Sequence, residues 1–236
     1  VESTTDHQGR SKKLNFNSEK FKKFKNKIIY IVVDDTKEAI KKPHFGGESL
    51  VEQHQRNSIM KGLQNCHDDD LVILSDVDEI PDLTKLKLFN KKNKYVVFSQ
   101  KAFAYKLNLL NESENNWHGS KMCMKKNLKS PQWLRNMKFK KYPIWRIDKP
   151  RNIQIIENGG WHFAYLLKPN DISQKIQSFA HGEFNIKDNT DIKKIEEKML
   201  DMTHPTRGFK LKKVEIDNAF PKYIKDNRKK LEQWIV

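Results

Sequence analysis

Asp76, Asp78 and Glu79 fall within four consecutive positions of the stretch LVILSDVDEIP (71–81), straight after four apolar residues and just before Pro81. Carboxylates this close repel one another unless a cation neutralises them, so the stretch raises the question of which cation does so. In an extended segment side chains at i and i+2 face the same way. That predicts Asp76 and Asp78 pointing together, Val77 turned back into the core, and Pro81 ending the strand. Ligands of open α/β sheets sit beyond the carboxyl ends of strands, which is where this pair falls. Two hard oxygen ligands there suit Mn²⁺ or Mg²⁺ carrying a diphosphate, the leaving group of a nucleotide-activated donor. The plainer alternative is an acidic turn that caps a helix or faces solvent; the apolar strand before it and the third carboxylate weigh against that.

Strands and helices must hold this tip in place. KYVVFSQKAFAYKLNLL (94–110) alternates enough to be one or two strands, and continuous apolar runs occur within 24–35 (FKNKIIYIVVDD) and at 71–74. Such runs read as strands buried on both faces, hence a parallel sheet covered by helices. A helix is expected over 48–65, after Gly46 and Gly47, and a short one opening at Thr84, giving a βαβ pattern over the first half. The second half is less regular, with long loops and short strands over 114–128 and 131–148. IQIIENGGWHFAYL (153–166) reads as a strand, a glycine break and a second apolar run. Over 170–179 a helix should have Asn170 or Asp171 as N-cap and Ile172, Ile176 and Phe179 on one face. Over 190–202 another should turn Ile192, Ile195, Met199 and Met202 inward, and 220–236 reads as a final helix. No repeat or linker interrupts the chain. The expected fold class is α/β in one domain, with a mixed, mostly parallel central sheet flanked by helices.

The formal net charge of +16 over 236 residues favours polyanionic partners: nucleic acid, anionic lipid or phosphorylated small molecules. The lysines are scattered rather than gathered in one stripe, and a nucleic-acid binder would interleave them with exposed aromatics on one face. Cys66 and Cys123 have neither metal-ligand spacing nor a disulfide framework. No apolar run approaches the ~20 residues that span a bilayer. The polar start is not a signal peptide; "VES" at the first positions looks like a strand end, so either the chain has been processed or upstream sequence belongs to the native protein.

SDVDEIP (75–81) resembles the signature of glycosyltransferase family 17, the family of the β-1,4-mannosyl-glycoprotein β-1,4-N-acetylglucosaminyltransferases. Other segments are similar in the same order: VESTTDHQGRSKKLNF, EQHQRN with its Glu-x-x-x-Arg-Asn spacing, NNWHGS, GGWHFAYL and KIQSFAHGEFN. The resemblance covers nearly the whole chain. It departs in two places: the family's upstream strand and helix are missing, and Ala164 stands where the family more often has Ser.

This resemblance implies a GT-A-like nucleotide-sugar fold, a UDP-N-acetylglucosamine donor, a glycan or glycoprotein acceptor, and Mn²⁺ (or Mg²⁺) held by Asp76 and Asp78. A third protein ligand would come from His162 or His181, each of which could instead be a hydrogen-bonded core histidine. Inversion at the anomeric carbon needs a general base, for which Glu183 and Glu79 are the candidates and Glu157 a weaker one. Gly159 and Gly160 would let backbone approach the donor. Arg56, and less specifically Arg146 and Lys121, would neutralise phosphate. Trp161, Trp117 and Trp145 would stack on sugar faces, core packing being the alternative. Two other readings stand beside this one: a basic nucleic-acid-binding protein, and an inactive relative that binds a nucleotide-sugar or glycan without turnover. Acceptor and compartment are left open by the sequence.

Overall fold

A computed structural model describes residues 1–6, 9–36, 50–139, 143, 145, 146, 149–178 and 182–236. The expected positions Gly46, Gly47, Phe179 and His181 lie outside the described residues.

The architecture is α/β, but the sheets are mixed, which corrects the mostly parallel expectation. β1 (Glu2–Ser3) and β2 (Val32–Val33) form a small parallel pair. A four-stranded sheet has the order β3 (Leu71–Leu74), β8 (Lys121–Met124), β5 (Tyr95–Phe98), β9 (Ile153–Ile156). A five-stranded sheet runs β11 (Lys212–Lys213), β7 (Leu109–Leu110), β6 (Lys101–Ala104), β10 (Gly160–Ala164), β4 (Glu79–Pro81). Only β5/β9 and β6/β10 are parallel within these two sheets; β3/β8, β5/β8, β4/β10, β6/β7 and β7/β11 are antiparallel. The apolar run of β5 is accounted for by burial rather than direction. Tyr95 and Val97 pack with Leu74, Cys123 and Leu134 on one face, Val96 and Phe98 with Met122 and Ile156 on the other.

Both sheets are continued by the same chain segments, and the crossing is bent. Between the pairs Phe98↔Ile156 and Lys101↔Trp161 one chain advances three residues and the other five. The extra length is taken up at 157–159, where Asn158 has φ 49° and the Gly159 amide donates to the Ser99 carbonyl at 2.6 Å. Such a bulge bends the sheet and opens a concave side. The two glycines of this break serve backbone packing. A Cβ on Gly159 would lie 2.6 Å from the Ile156 carbonyl oxygen, and one on Gly160 (φ +146°) 2.2 Å from that of Ile80. Gly160 therefore seats β10 against β4. Gly160→Ala is expected to destabilise the chain by more than about 2 kcal/mol, through overpacking and backbone strain together, read as a fall in the urea midpoint.

Helices cover the sheets. α1 (Leu50–Asn57) continues as 3-10 turns to Leu63. α2 (Pro131–Asn136), in a stretch expected to be loop, opens on Ser130, whose hydroxyl accepts from the Trp133 amide, with Pro131 in the first turn. α3 (Pro169–Ser178) begins one residue before the expected caps Asn170 and Asp171 and buries Ile172 and Ile176. α4 (Lys187–Thr190) leads into α5 (Ile192–Leu200), capped by Asp191. Ile195 of α5 is buried and Met199 and Met202 pack beside it, whereas Ile192 is exposed, contrary to expectation. The tail is not one helix but α6 (Lys222–Asp226) followed by 3-10 turns over Lys229–Trp234, closing over Phe103 and Phe163. No helix among the described residues is long and apolar enough to cross a membrane.

Candidate active site

The bend leaves a cleft of about 980 Å³ lined by residues from β4, β6, β10, α1, α2 and α3. Register decides what forms its floor. Glu79 of β4 pairs with His162 of β10, and His162 with Ala102 of β6. Opposed residues share a face of a sheet, so Glu79, His162, Ala164, Ala102 and Ala104 all face the cleft, and all five line it. The intervening Trp161 and Phe163 of β10 face the other way. Trp161 donates its indole N–H to the Ala219 carbonyl at 3.0 Å and packs against the Phe103–Phe163 core, so it is not placed as a donor contact.

The tip after β3 is a turn, not extended chain: the Glu79 amide donates to the Asp76 carbonyl at 3.0 Å. Val77 is consequently fully exposed rather than core-facing; Pro81 ends a strand as expected, but that strand is β4, separate from β3. The turn nevertheless turns Asp76 and Asp78 into the same cleft. The Asp78 carbonyl accepts from the Phe163 amide at 2.9 Å, which pins this residue beside His162.

The cations that answer the acidic tip include the chain's own. Arg135 reaches Asp76 at 2.7 Å and both Glu79 oxygens at 2.9 and 3.2 Å. Arg56 bridges Glu52 at 2.5 Å, Asp76 at 3.4 Å and the Gln132 amide oxygen at 2.7 Å. Glu79 is fully satisfied, since it also accepts from the Trp117 indole at 2.8 Å and from the Asp76 amide at 3.2 Å. Its side chain is only 1% exposed. Although Glu79 lines the cleft, its carboxylate is enclosed by these donors, and it is better described as the anchor of the ion-pair network than as a base. Gly119 makes room for that anchor, because a Cβ there would lie 2.0 Å from Glu79 Oε1.

Asp78 stands apart from the arginines. His162 Nε2 approaches its Oδ1 at 3.7 Å and Lys175 Nζ its Oδ2 at 3.5 Å. Burial pushes the Asp78 carboxyl up, but the hydrogen bond and charge of His162 and the charge of Lys175 outweigh it and hold the group down at about 2. Trp117 stacks on the His162 ring at 4.3 Å between centroids and fixes its plane, while His162 Nδ1 is buried with no partner. Four carboxylates, Glu52, Asp76, Asp78 and Glu79, thus face three permanent cations, Arg56, Arg135 and Lys175. The excess falls among Glu52, Asp76 and Glu79, which share two arginines, whereas Asp78 meets Lys175 through one oxygen and turns the other towards an imidazole nitrogen.

That donor pair suits Mn²⁺ in chemical type. A divalent ion bound with a diphosphate commonly takes only one or two protein ligands, the remainder being phosphate and water, so the pair fits such an ion. Among the described residues no three or more His, Cys, Asp or Glu are arranged to hold a metal ion by themselves, and Asp76, engaged by two arginines, is not part of the pair.

Several expected residues are placed elsewhere. Glu183 is exposed on the short turn Gly182–Phe184, whose Phe184 lines the cleft. Glu157 is exposed in the β9–β10 bulge and Lys121 is buried, with Nζ donating to the carbonyls of Arg135 and Met137; neither lines the cleft. Burial brings the Lys121 amine down to about 8. Trp145 and Arg146 are exposed outside the cleft. Sequence reasoning missed Arg135, Lys175, Tyr165, His204 and Arg207, all of which line it. The Ser-Pro start of α2 was the available signal for Arg135; Lys175 follows from the register of α3 beside Ile172 and Ile176.

His204 carries a testable pH dependence. Burial, reinforced by the charges of Arg207, His162 and Lys198, brings its imidazole down to about 4. Below ~6.5 the unfolded chain takes up a proton that the folded chain refuses until about 4. Stability should therefore fall as pH falls through this window, by up to about 3 kcal/mol. Urea unfolding at several pH values checks this, and His204→Gln should flatten the fall.

No curated protein and no solved structure matches the chain. The family model described as "Glycosyltransferase family 17" matches residues 1–203 of the 236. A match over that much of the sequence, with a bent-sheet cleft and an acidic turn at its floor, is a family assignment: the chain belongs to glycosyltransferase family 17.

Proposed function

We propose that this chain is a metal-dependent inverting glycosyltransferase that moves a sugar, N-acetylglucosamine, from a UDP-sugar to a glycan hydroxyl. The observation that carries the proposal is the Asp78–His162 pair, 3.7 Å apart beside an excess of negative charge on the floor of the cleft. Asp78 and His162 would hold Mn²⁺ or Mg²⁺. When bound, such an ion supplies positive charge that stabilises the departing diphosphate.

The chain's own residues do the rest. Trp117 orients the His162 ring by stacking and, through the same indole, tethers Glu79. Arg56 and Arg135 hold Asp76 and the turn in position, and Lys175 contributes a mobile cation, 37% exposed, at the opposite side of Asp78. Ala102, Ala104 and Ala164 keep the floor low enough for a sugar ring. Glu183 is the proposed base, since it sits on an exposed turn at the cleft margin while Glu79 is enclosed. Its role is to take the proton of the acceptor hydroxyl as the nucleotide leaves.

A panel of nucleotide-sugars incubated with Mn²⁺ and glycan acceptors, read as released nucleotide, tests the proposal. UDP release from UDP-N-acetylglucosamine is the expected result. Binding of the nucleotide-sugar without release, across the panel, would instead establish the inactive-relative reading.

A further inference from the structure

The segment 12–33 contains seven lysines and a single acid, Glu19. Its middle, Ser18–Lys27, forms kinked 3-10 turns with no buried residue. Five of the lysines, Lys20, Lys22, Lys23, Lys25 and Lys27, are exposed and pair with no carboxylate among the described residues. Between them stand Phe21 and Phe24, 45% and 53% exposed, followed by Ile29 at 68%. Phe21 sits at the kink between the two turns (φ −112°, ψ 18°), three residues before Phe24. Phe21 is held in place by stacking on Phe16 at 5.6 Å, and Phe16 by stacking on Tyr30 at 4.5 Å.

Folding gives no reason for this arrangement. A solvated cationic face needs no phenylalanine, and apolar side chains left open beside one another mark a surface with a partner. The charge selects the partner's sign. Unpaired lysines around aromatic and aliphatic residues match a surface that is anionic at its boundary and apolar just beneath: the phenyl rings enter the interface while the lysine stems lie along it with ammonium groups at the headgroups. A nucleic acid would also meet lysines interleaved with aromatics, but the exposed aliphatic side chain of Ile29 gives a base no ring to stack on and suits an acyl layer.

We propose that the segment Ser18–Ile29 is a docking surface for an anionic lipid bilayer. Phe16, Phe21, Ile28 and Ile29 also line the cleft, so a docked chain holds the cleft mouth close to the headgroups. The inference stands on the surface alone and does not depend on the identity of the donor.

Co-sedimentation of the full chain with vesicles tests it. The chain should bind vesicles of phosphatidylcholine with phosphatidylglycerol and bind phosphatidylcholine alone at least tenfold more weakly. The triple variant K22Q/K23Q/K25Q should bind the anionic vesicles on the order of 100-fold more weakly, about fivefold per lysine. Phe24→Ser should weaken binding about tenfold, a readout that charge alone does not move. Both variants change only exposed side chains, and an unchanged melting temperature verifies that they fold. Wild-type binding by the triple variant overturns the proposal. So does an unaffected Phe24→Ser variant whose vesicle binding is competed equally well by a DNA duplex, which would mark generic polyanion attraction.

Discussion

Asp78→Asn lowers turnover by at least about 100-fold, because the amide removes the one ionised oxygen donor that faces His162 and no neighbouring carboxylate is free to replace it. Stability changes far less. The carboxyl is held down at about 2, where burial raises it and His162 and Lys175 lower it further. The depressed value contributes at most about 2 kcal/mol, present above ~4 and lost as pH falls towards about 2. At neutral pH the variant therefore stays folded, and the fall in kcat exceeds anything unfolding explains. Initial rates with saturating UDP-sugar and Mn²⁺, set beside a urea curve of the same preparation, separate the two effects. Full activity in the variant would remove Asp78 from the mechanism.

Arg135→Met has the opposite signature. This guanidinium, 18% exposed, serves Glu79, Asp76 and the Gly119 carbonyl at once. Its loss leaves Glu79 enclosed without a cation, and breaking a buried ion pair from one side costs about 3–5 kcal/mol. Arg135→Lys should recover only part, since a single ammonium cannot reproduce the fork to both acids. Chemical denaturation of the three proteins checks the order. Glu79→Gln supplies the complementary result: as a network anchor, Glu79 should affect the unfolding midpoint. Retained stability with abolished kcat in that variant would return Glu79 to the role of base.

The strand before the acidic turn and the glycine break at Gly159 and Gly160 were legible because each has a local cause: an apolar run and a close approach of backbone. Strand direction was not legible. β5 is apolar throughout because both its faces are covered, and that composition is the same whether its neighbour runs parallel, as β9 does, or antiparallel, as β8 does. The i, i+2 argument reached the right meeting of Asp76 and Asp78 for a different reason: a turn, with Val77 thrown outward, rather than an extended tip. His162 was joined to Asp78 in the sequence only through the family resemblance; the contact itself is made through the β4–β10 register, which no local pattern records. Arg135 answers the charge of a turn 56 residues away, from Glu79 to Arg135, and long-range ion pairs leave no periodic trace in a sequence.

The measurement closest to the central claim is calorimetric titration of UDP into the chain with Mn²⁺ and again with excess chelator. The account predicts binding that requires the divalent ion and is lost in Asp78→Asn. UDP affinity that is unchanged by chelation, or retained in full by that variant, would contradict it.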